Sequence, residues 1–304
     1  IAVIDTKKLR VLTTLSDPPP AGPKQGSTPN ALALSNDGSR LFVAEADNNA
    51  VAVFQLSAGV GHRRSRLLGR IPVEWYPTSL LMTPDSLFVL NGKGKGTRSN
   101  PQFPTPERKL PDDSVDYTLG QLNGTLTVVP AKMKPSEFTR LTRRVARANN
   151  WDQARKPGAK YPPFKHVIYI IKENRTYDQI MGDLPQGDGD ASLNFFPRRI
   201  SPNHHALAER FGLFDRFFVN AEVSSQGHVW STAAYVTDYG EKTIPSLYST
   251  RREQSDRGDV DEPASGYLWN AAIKKKLSLR NYGAFTEPIP NQRRDFGGVR
   301  PAQT

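Results

Sequence analysis

Cysteine is absent from all 304 residues, which removes disulfides, thiolate metal sites and thiol nucleophiles together. That absence suits secreted, periplasmic and cytosolic chains alike. No stretch approaches the roughly 18 consecutive apolar residues of a membrane-spanning helix, so no transmembrane segment is expected. Histidine is scarce: His166, His204, His205 and His228 fall in one region, and only His62 lies outside it. Acidic residues are in deficit, with 30 Asp and Glu against 41 Lys and Arg, a formal net charge of +11. Such a balance suits phosphate esters, anionic surfaces or nucleic acid, or else describes a basic solvated face. Nucleic acid is not the expected partner, because the aromatics do not interleave with a basic stripe and no recognised binding motif occurs. The chain opens on Ile1 with no signal pattern and ends in "GGVRPAQT" with no evident terminal element, so a piece of a longer protein is expected.

What is present divides near the middle. "IAVIDTKKLRVL" and "PNALALSNDGSRLFVAEADNNAVAVFQL" read as short strands separated by turn chemistry at Asn36-Asp37-Gly38 and Asp47-Asn48-Asn49. A weaker copy follows in "YPTSLLMTPDSLFVLNGKGKG", with Pro29 matching Pro77, Asp37 matching Asp85, and Leu41-Phe42-Val43 matching Leu87-Phe88-Val89. A period of roughly 40–50 residues built from small strands predicts propeller blades. The first copy also resembles the YVTN-type propeller repeat, over residues 1 to about 130. That resemblance implies an all-β propeller of which only the last blades are here. A polar loop is expected between Lys93 and Gly120, then a strand in "GTLTVVP" and an amphipathic helix in "PSEFTRLTRRVARANN", with Phe138, Leu141 and Val145 on one face. Residues 151–163 read as a Pro-rich linker.

From Phe164 onward longer units alternate: strands in "HVIYII", "LFDRFFVN" and "LSLRNYGAF", helices in "TYDQIMGD", "NHHALAERF", "HVWSTAAYVTDYG" and "SGYLWNAAIKKK". Alternation predicts a mainly parallel sheet covered on both faces, with ligands beyond the carboxyl ends of its strands. Glu173 and Asn174 follow the first strand; they are either a polar turn paired with Lys172 or Arg175, or two hard oxygen donors for a divalent cation. Ser224 and Ser225 stand just before a helix. The plain reading is an N-cap; the chemical one is a nucleophile. Asp183, Asp188 and Asp190 lie in "GDLPQGDGDAS", which lacks the closing glutamate of a calcium loop and reads as a loop.

"KHVIYIIKENRTYDQIMGDL" resembles the opening of the phosphoesterase family, which includes bacterial phospholipases C and an acid phosphatase group. "SPNHHALAERFGLFDRFFVNAEVSSQGHVWSTAAYVTDY" is similar to the branch in which this domain follows a YVTN-type propeller. The resemblance spans residues 165–285. It implies an alkaline-phosphatase-like α/β fold over 164–304, here its N-terminal half only, after blades and a closing helix at 1–150. It implies a hydrolase of phosphate esters using a divalent metal, acting on a phosphorylated small molecule or a phospholipid. Glu173 and Asn174 match the metal pair, Ser224 the nucleophile, with Ser225 as the fallback, and His205 and His228 match positions near the phosphate. Ala284 stands where relatives often have Glu. The family's remaining ligands are expected beyond Thr304, which would leave this piece weak or inactive. A periplasmic or secreted location goes with this reading. The alternative is a non-catalytic binding module, built on the propeller with an incomplete phosphoesterase half.

Overall fold

Alternating apolar residues and tight polar turns build the first part of the chain. The computed structural model describes residues 1–17, 27–58, 64–95, 122–153, 163–219, 221–248, 260, 262–283 and 285. Strands β1 (Ala2–Asp5) and β2 (Arg10–Thr14) pair as a hairpin. Strands β3 (Pro29–Leu34), β4 (Arg40–Glu45), β5 (Ala50–Gln55) and β6 (Arg66–Pro72) form an antiparallel four-stranded meander. Strands β7 (Trp75–Met82), β8 (Ser86–Gly94) and β9 (Thr125–Pro130) form a three-stranded one. The β3–β4 turn is held by Asp37, whose carboxylate accepts from Ser35 Oγ and from Ser39 N and Oγ. Those hydroxyl and amide donors pull its carboxyl down to about 2.

Helix α1 (Pro135–Ala148) lies against β6 and closes the core. Phe138 and Leu141 pack on a cluster of Phe42, Val51, Val53, Ile71, Leu87, Val89 and Val129. The approach is close: a Cβ built on Gly69 would stand 2.2 Å from Thr142 Oγ1. Thr142 Oγ1 accepts from Arg70 N at 3.0 Å and stitches the helix to the strand. Beneath this contact runs a buried ion pair. Arg70 donates through Nε to Glu45 Oε2 at 2.7 Å and through Nη2 to Glu45 Oε1 at 3.1 Å and to Asp17 O at 2.7 Å. Burial, with Asp17 beside it, pushes the Glu45 carboxyl up to about 8 against the pull of Arg70.

The chain divides into two compact units. One holds Ile1–Tyr169 and Arg175–Phe217; the other holds Ile170–Asn174 and Phe218–Thr304. Besides the sheets and α1, the first unit carries α2 (Tyr177–Met181), a short 3-10 turn (Ala191–Leu193) and α3 (Pro202–Phe211). Helices α4 (Ser224–Ala233), α5 (Asp238–Tyr248) and α6 (Leu268–Lys274) belong to the second. No helix among the described residues is long and apolar enough to cross a membrane.

The expected fold class is overturned. The described chain is a mixed α/β structure with three small antiparallel sheets, none of them closed or arranged as propeller blades, and no parallel sheet. The two sequence copies are real as local meanders, since Leu41-Phe42-Val43 lies in β4 and Leu87-Phe88-Val89 in β8. A repeat of hairpins specifies each sheet, whereas a propeller also needs several sheets set around one axis. The binding-module reading loses its premise with it. The alkaline-phosphatase-like α/β domain also lacks its sheet: "HVIYII" and "LFDRFFV" form no strand, and Ile168 and Phe217 are 86% and 84% exposed. An apolar run becomes a strand only where a neighbouring edge takes its backbone hydrogen bonds, and no described strand pairs with either run. The expected loop at 93–120 lies largely outside the described residues, as do most of the linker and Ala284.

Replacing Arg70 with Met removes the partner of the buried Glu45 carboxyl and the donor to Asp17 O, and should cost about 3 kcal/mol of unfolding free energy, read by urea denaturation. The Glu45 carboxyl has a folded value of about 8 against an ordinary 4.5, so between them the unfolded chain has lost a proton that the folded chain keeps. Stability should therefore be highest below that window and fall as pH rises through it, with the slope flattened in Glu45→Gln, as read by thermal unfolding across pH.

Candidate functional site

Helix α4 begins without a side-chain cap: Val223, the N-cap residue, is apolar and buried. The helix is fixed from below. Gln226, buried, accepts from Glu222 N through Oε1 at 3.3 Å and donates through Nε2 to Glu241 Oε2 at 2.8 Å. Trp230 Nε1 donates to the other Glu241 oxygen at 3.2 Å. Val223, Val229, Val236 and Ile244 form the apolar core under this bracket. With Gln226, Val229 and Thr232 turned inward, Ser224 and His228, one turn apart, share another stripe of the helix.

On that stripe two distant parts of the sequence meet. His228 Nε2 lies 3.5 Å from Glu173 Oε1, an ion pair when the imidazole is protonated. Glu173 sits at a sharp bend, where Asn174 takes a left-handed conformation with φ 71. Asn174 joins Ser224, Ser225 and His228 in the second compact unit. His228 Nδ1 is buried with no hydrogen-bond partner among the described residues. Its ring stands edge-on to Phe285 at 6.4 Å, and Phe285 continues into Tyr267 at 5.2 Å. Of the two serines, Ser225 is engaged within the chain, whereas the half-buried Ser224 hydroxyl has no partner among the described residues.

His205 falls elsewhere, in the first unit. It is fully buried on α3, with Nδ1 2.8 Å from Ser201 O and 3.1 Å from Ser201 Oγ, and Nε2 2.7 Å from Asp183 Oδ1. Burial raises the Asp183 carboxyl, but the His205 bond and the Arg198 amide outweigh it and hold it low. The glycine-rich loop spends its other carboxylates similarly. Asp190 accepts from Ser192 N and Oγ, and Asp188 pairs with Arg216.

Among the described residues no group of three His, Asp or Glu side chains could hold a metal ion. Glu173 and Asn174 offer two hard oxygen donors from one turn, right in chemistry for a divalent cation and too few to complete a shell. Sequence reading missed the Gln226–Glu241–Trp230 bracket and the aromatic wall of Tyr267, Trp269 and Phe285. Glu241 in "AAYVTDYGEKTI" and the "YLW" triplet were their only signals. No protein-family model matches the chain, and no curated protein matches it.

His205→Ala should lower unfolding free energy by roughly 2–4 kcal/mol, because it opens a cavity at a fully buried side chain and removes the bond that ties α3 to Asp183. Circular dichroism against urea checks it.

Proposed function

We propose that the second unit contributes a phosphate-ester hydrolase site with Ser224 as nucleophile. The observation that carries this reading is the meeting of Glu173 with His228 one turn beyond Ser224. The resemblance to phosphoesterases points to the same residues from sequence alone.

An unpartnered hydroxyl at the start of a ten-residue helix meets free backbone N–H groups and partial positive charge, which suit a phosphoryl group. Ser224 Oγ gives its proton to solvent water as it attacks phosphorus, the Ser–O–P bond forms, and the bond to the leaving alkoxide breaks. Protonated His228, oriented by Glu173, gives the departing oxygen its proton. Water then attacks the phosphoserine, passing one proton to His228, while Ser224 Oγ leaves and takes a proton back from solvent, and phosphate is released. Glu173 Oε2 and Asn174 would hold a divalent cation, which in such sites shields phosphoryl charge and lowers the pKa of the attacking hydroxyl. The substrate is a phosphorylated small molecule or a phospholipid, and a periplasmic or secreted location accords with either.

In a longer protein that carries this segment, turnover of p-nitrophenyl phosphate with added divalent metal should fall by roughly a thousandfold or more in Ser224→Ala, while Ser225→Ala keeps most of it. Mass spectrometry of acid-quenched protein should place the phosphate on the peptide containing residue 224. Turnover unchanged in Ser224→Ala would sink the nucleophile.

A further inference from the structure

A second site lies in the first unit, in the core between the four-stranded sheet and α1. There a cavity of about 340 Å³ opens against β4, β5 and β6 on one side and residues 130–139 on the other. Its floor is apolar, made by Phe42, Val53, Leu68 and Phe138. Its rim is a cross-strand row, because Arg40 pairs with Gln55 and Gln55 with Arg66 in the sheet register. All three line the cavity.

Two features make this row unusual. Neither Arg40 nor Arg66 has an ion pair or a side-chain hydrogen bond among the described residues. Gln55 between them is already used, donating from Nε2 to Ser39 O at 2.9 Å. The two arginines stand two strands apart, roughly 9–10 Å between backbones, which their long side chains can span to meet on one oxyanion. Pro135 and Thr139 of α1 also line the cavity, so the positive end of a fourteen-residue helix with no side-chain cap adds to the field. Arg66 is exposed and Arg40 half-buried, so both guanidinium groups stand at the mouth of the cavity, unlike the buried Arg70, which has Glu45. Two unanswered guanidinium groups over an apolar floor define a ligand with both characters, and the volume falls at the small end of ligand pockets.

We propose that this cavity binds a small organic anion, with its apolar body on Phe42, Val53, Leu68 and Phe138 and its carboxylate or phosphate between Arg40 and Arg66. The site is independent of Ser224 and its chemistry. Neutral molecules of the same shape bind more weakly because they offer the two cations no counter-charge.

Isothermal titration of the full chain with octanoate, octyl phosphate and octan-1-ol tests this. Either anion should bind saturably and at least about tenfold more tightly than the alcohol. The two anions distinguish a carboxylate site from a phosphate site. Arg40→Gln and Arg66→Gln should each weaken the preferred anion by roughly tenfold and leave the alcohol unchanged. Thr139→Trp, an exposed position at the cavity, should block binding without unfolding the chain, as circular dichroism reports. Equal binding of alcohol and anions, no binding of either anion, or full affinity in both arginine variants would overturn the proposal.

Discussion

The closeness of α1 to β6 sets the first unit. With only hydrogen on Gly69, Thr142 reaches the strand backbone and the helix settles at one place along the sheet. Anchored there, α1 covers the apolar face from Ile71 toward Leu87 and Val129. Its first turn, by contrast, stands across the cavity from Arg40 and Gln55, where β4 begins and β5 ends. Side chains there are long and polar, and they do not fill space as Leu or Val would. The cavity and its two arginines thus follow from the position of one helix. Burial that would stabilise an all-apolar core stops short at that end.

The Arg70 ion pair acts within the same contact. Glu45 and Arg70 are both nearly excluded from water, at 1% and 6% exposure. A buried pair contributes little net stability compared with apolar residues of the same volume. What it does here is positional: Arg70 Nη2 reaches Asp17 O while its own backbone holds Thr142, so the end of the β2 segment, β4, β6 and α1 are tied at one residue. Its acidic partner is the group whose proton equilibrium makes this part of the fold pH-sensitive.

Local structure was legible where sequence neighbours decide it. The Asn36-Asp37-Gly38 turn, the three strands around it and the amphipathic face of Phe138, Leu141 and Val145 all stand where their patterns put them. The architecture was not legible. "HVIYII" has the composition of a buried strand, yet pairing depends on an edge supplied from elsewhere in the chain, and composition carries no information about that edge. For the site, Glu173 and His228 were each visible as candidates, and their 3.5 Å approach was not, since 55 positions separate them and no spacing rule applies.

Two serine–histidine pairs show why residue type is not enough. Ser201 and His205 on α3, and Ser224 and His228 on α4, have the same four-residue spacing, and each histidine faces a carboxylate. In the first, Ser201 Oγ donates to Phe196 O at 2.7 Å, both ring nitrogens have acceptors, and the imidazole is fully buried. Nothing there is left to exchange a proton with a substrate. In the second, among the described residues, the serine hydroxyl is unengaged and one ring nitrogen has no partner, and the Glu173 contact is longer. A histidine whose bonds are all made stabilises a fold; one with a bond unmade can move a proton. The two serines also differ in their place on the helix: Ser201 stands at the N-cap position of α3 with its hydroxyl turned back to Phe196 O rather than onto the helix, whereas Ser224 is the first residue of α4, behind the apolar Val223, and reaches no such acceptor among the described residues.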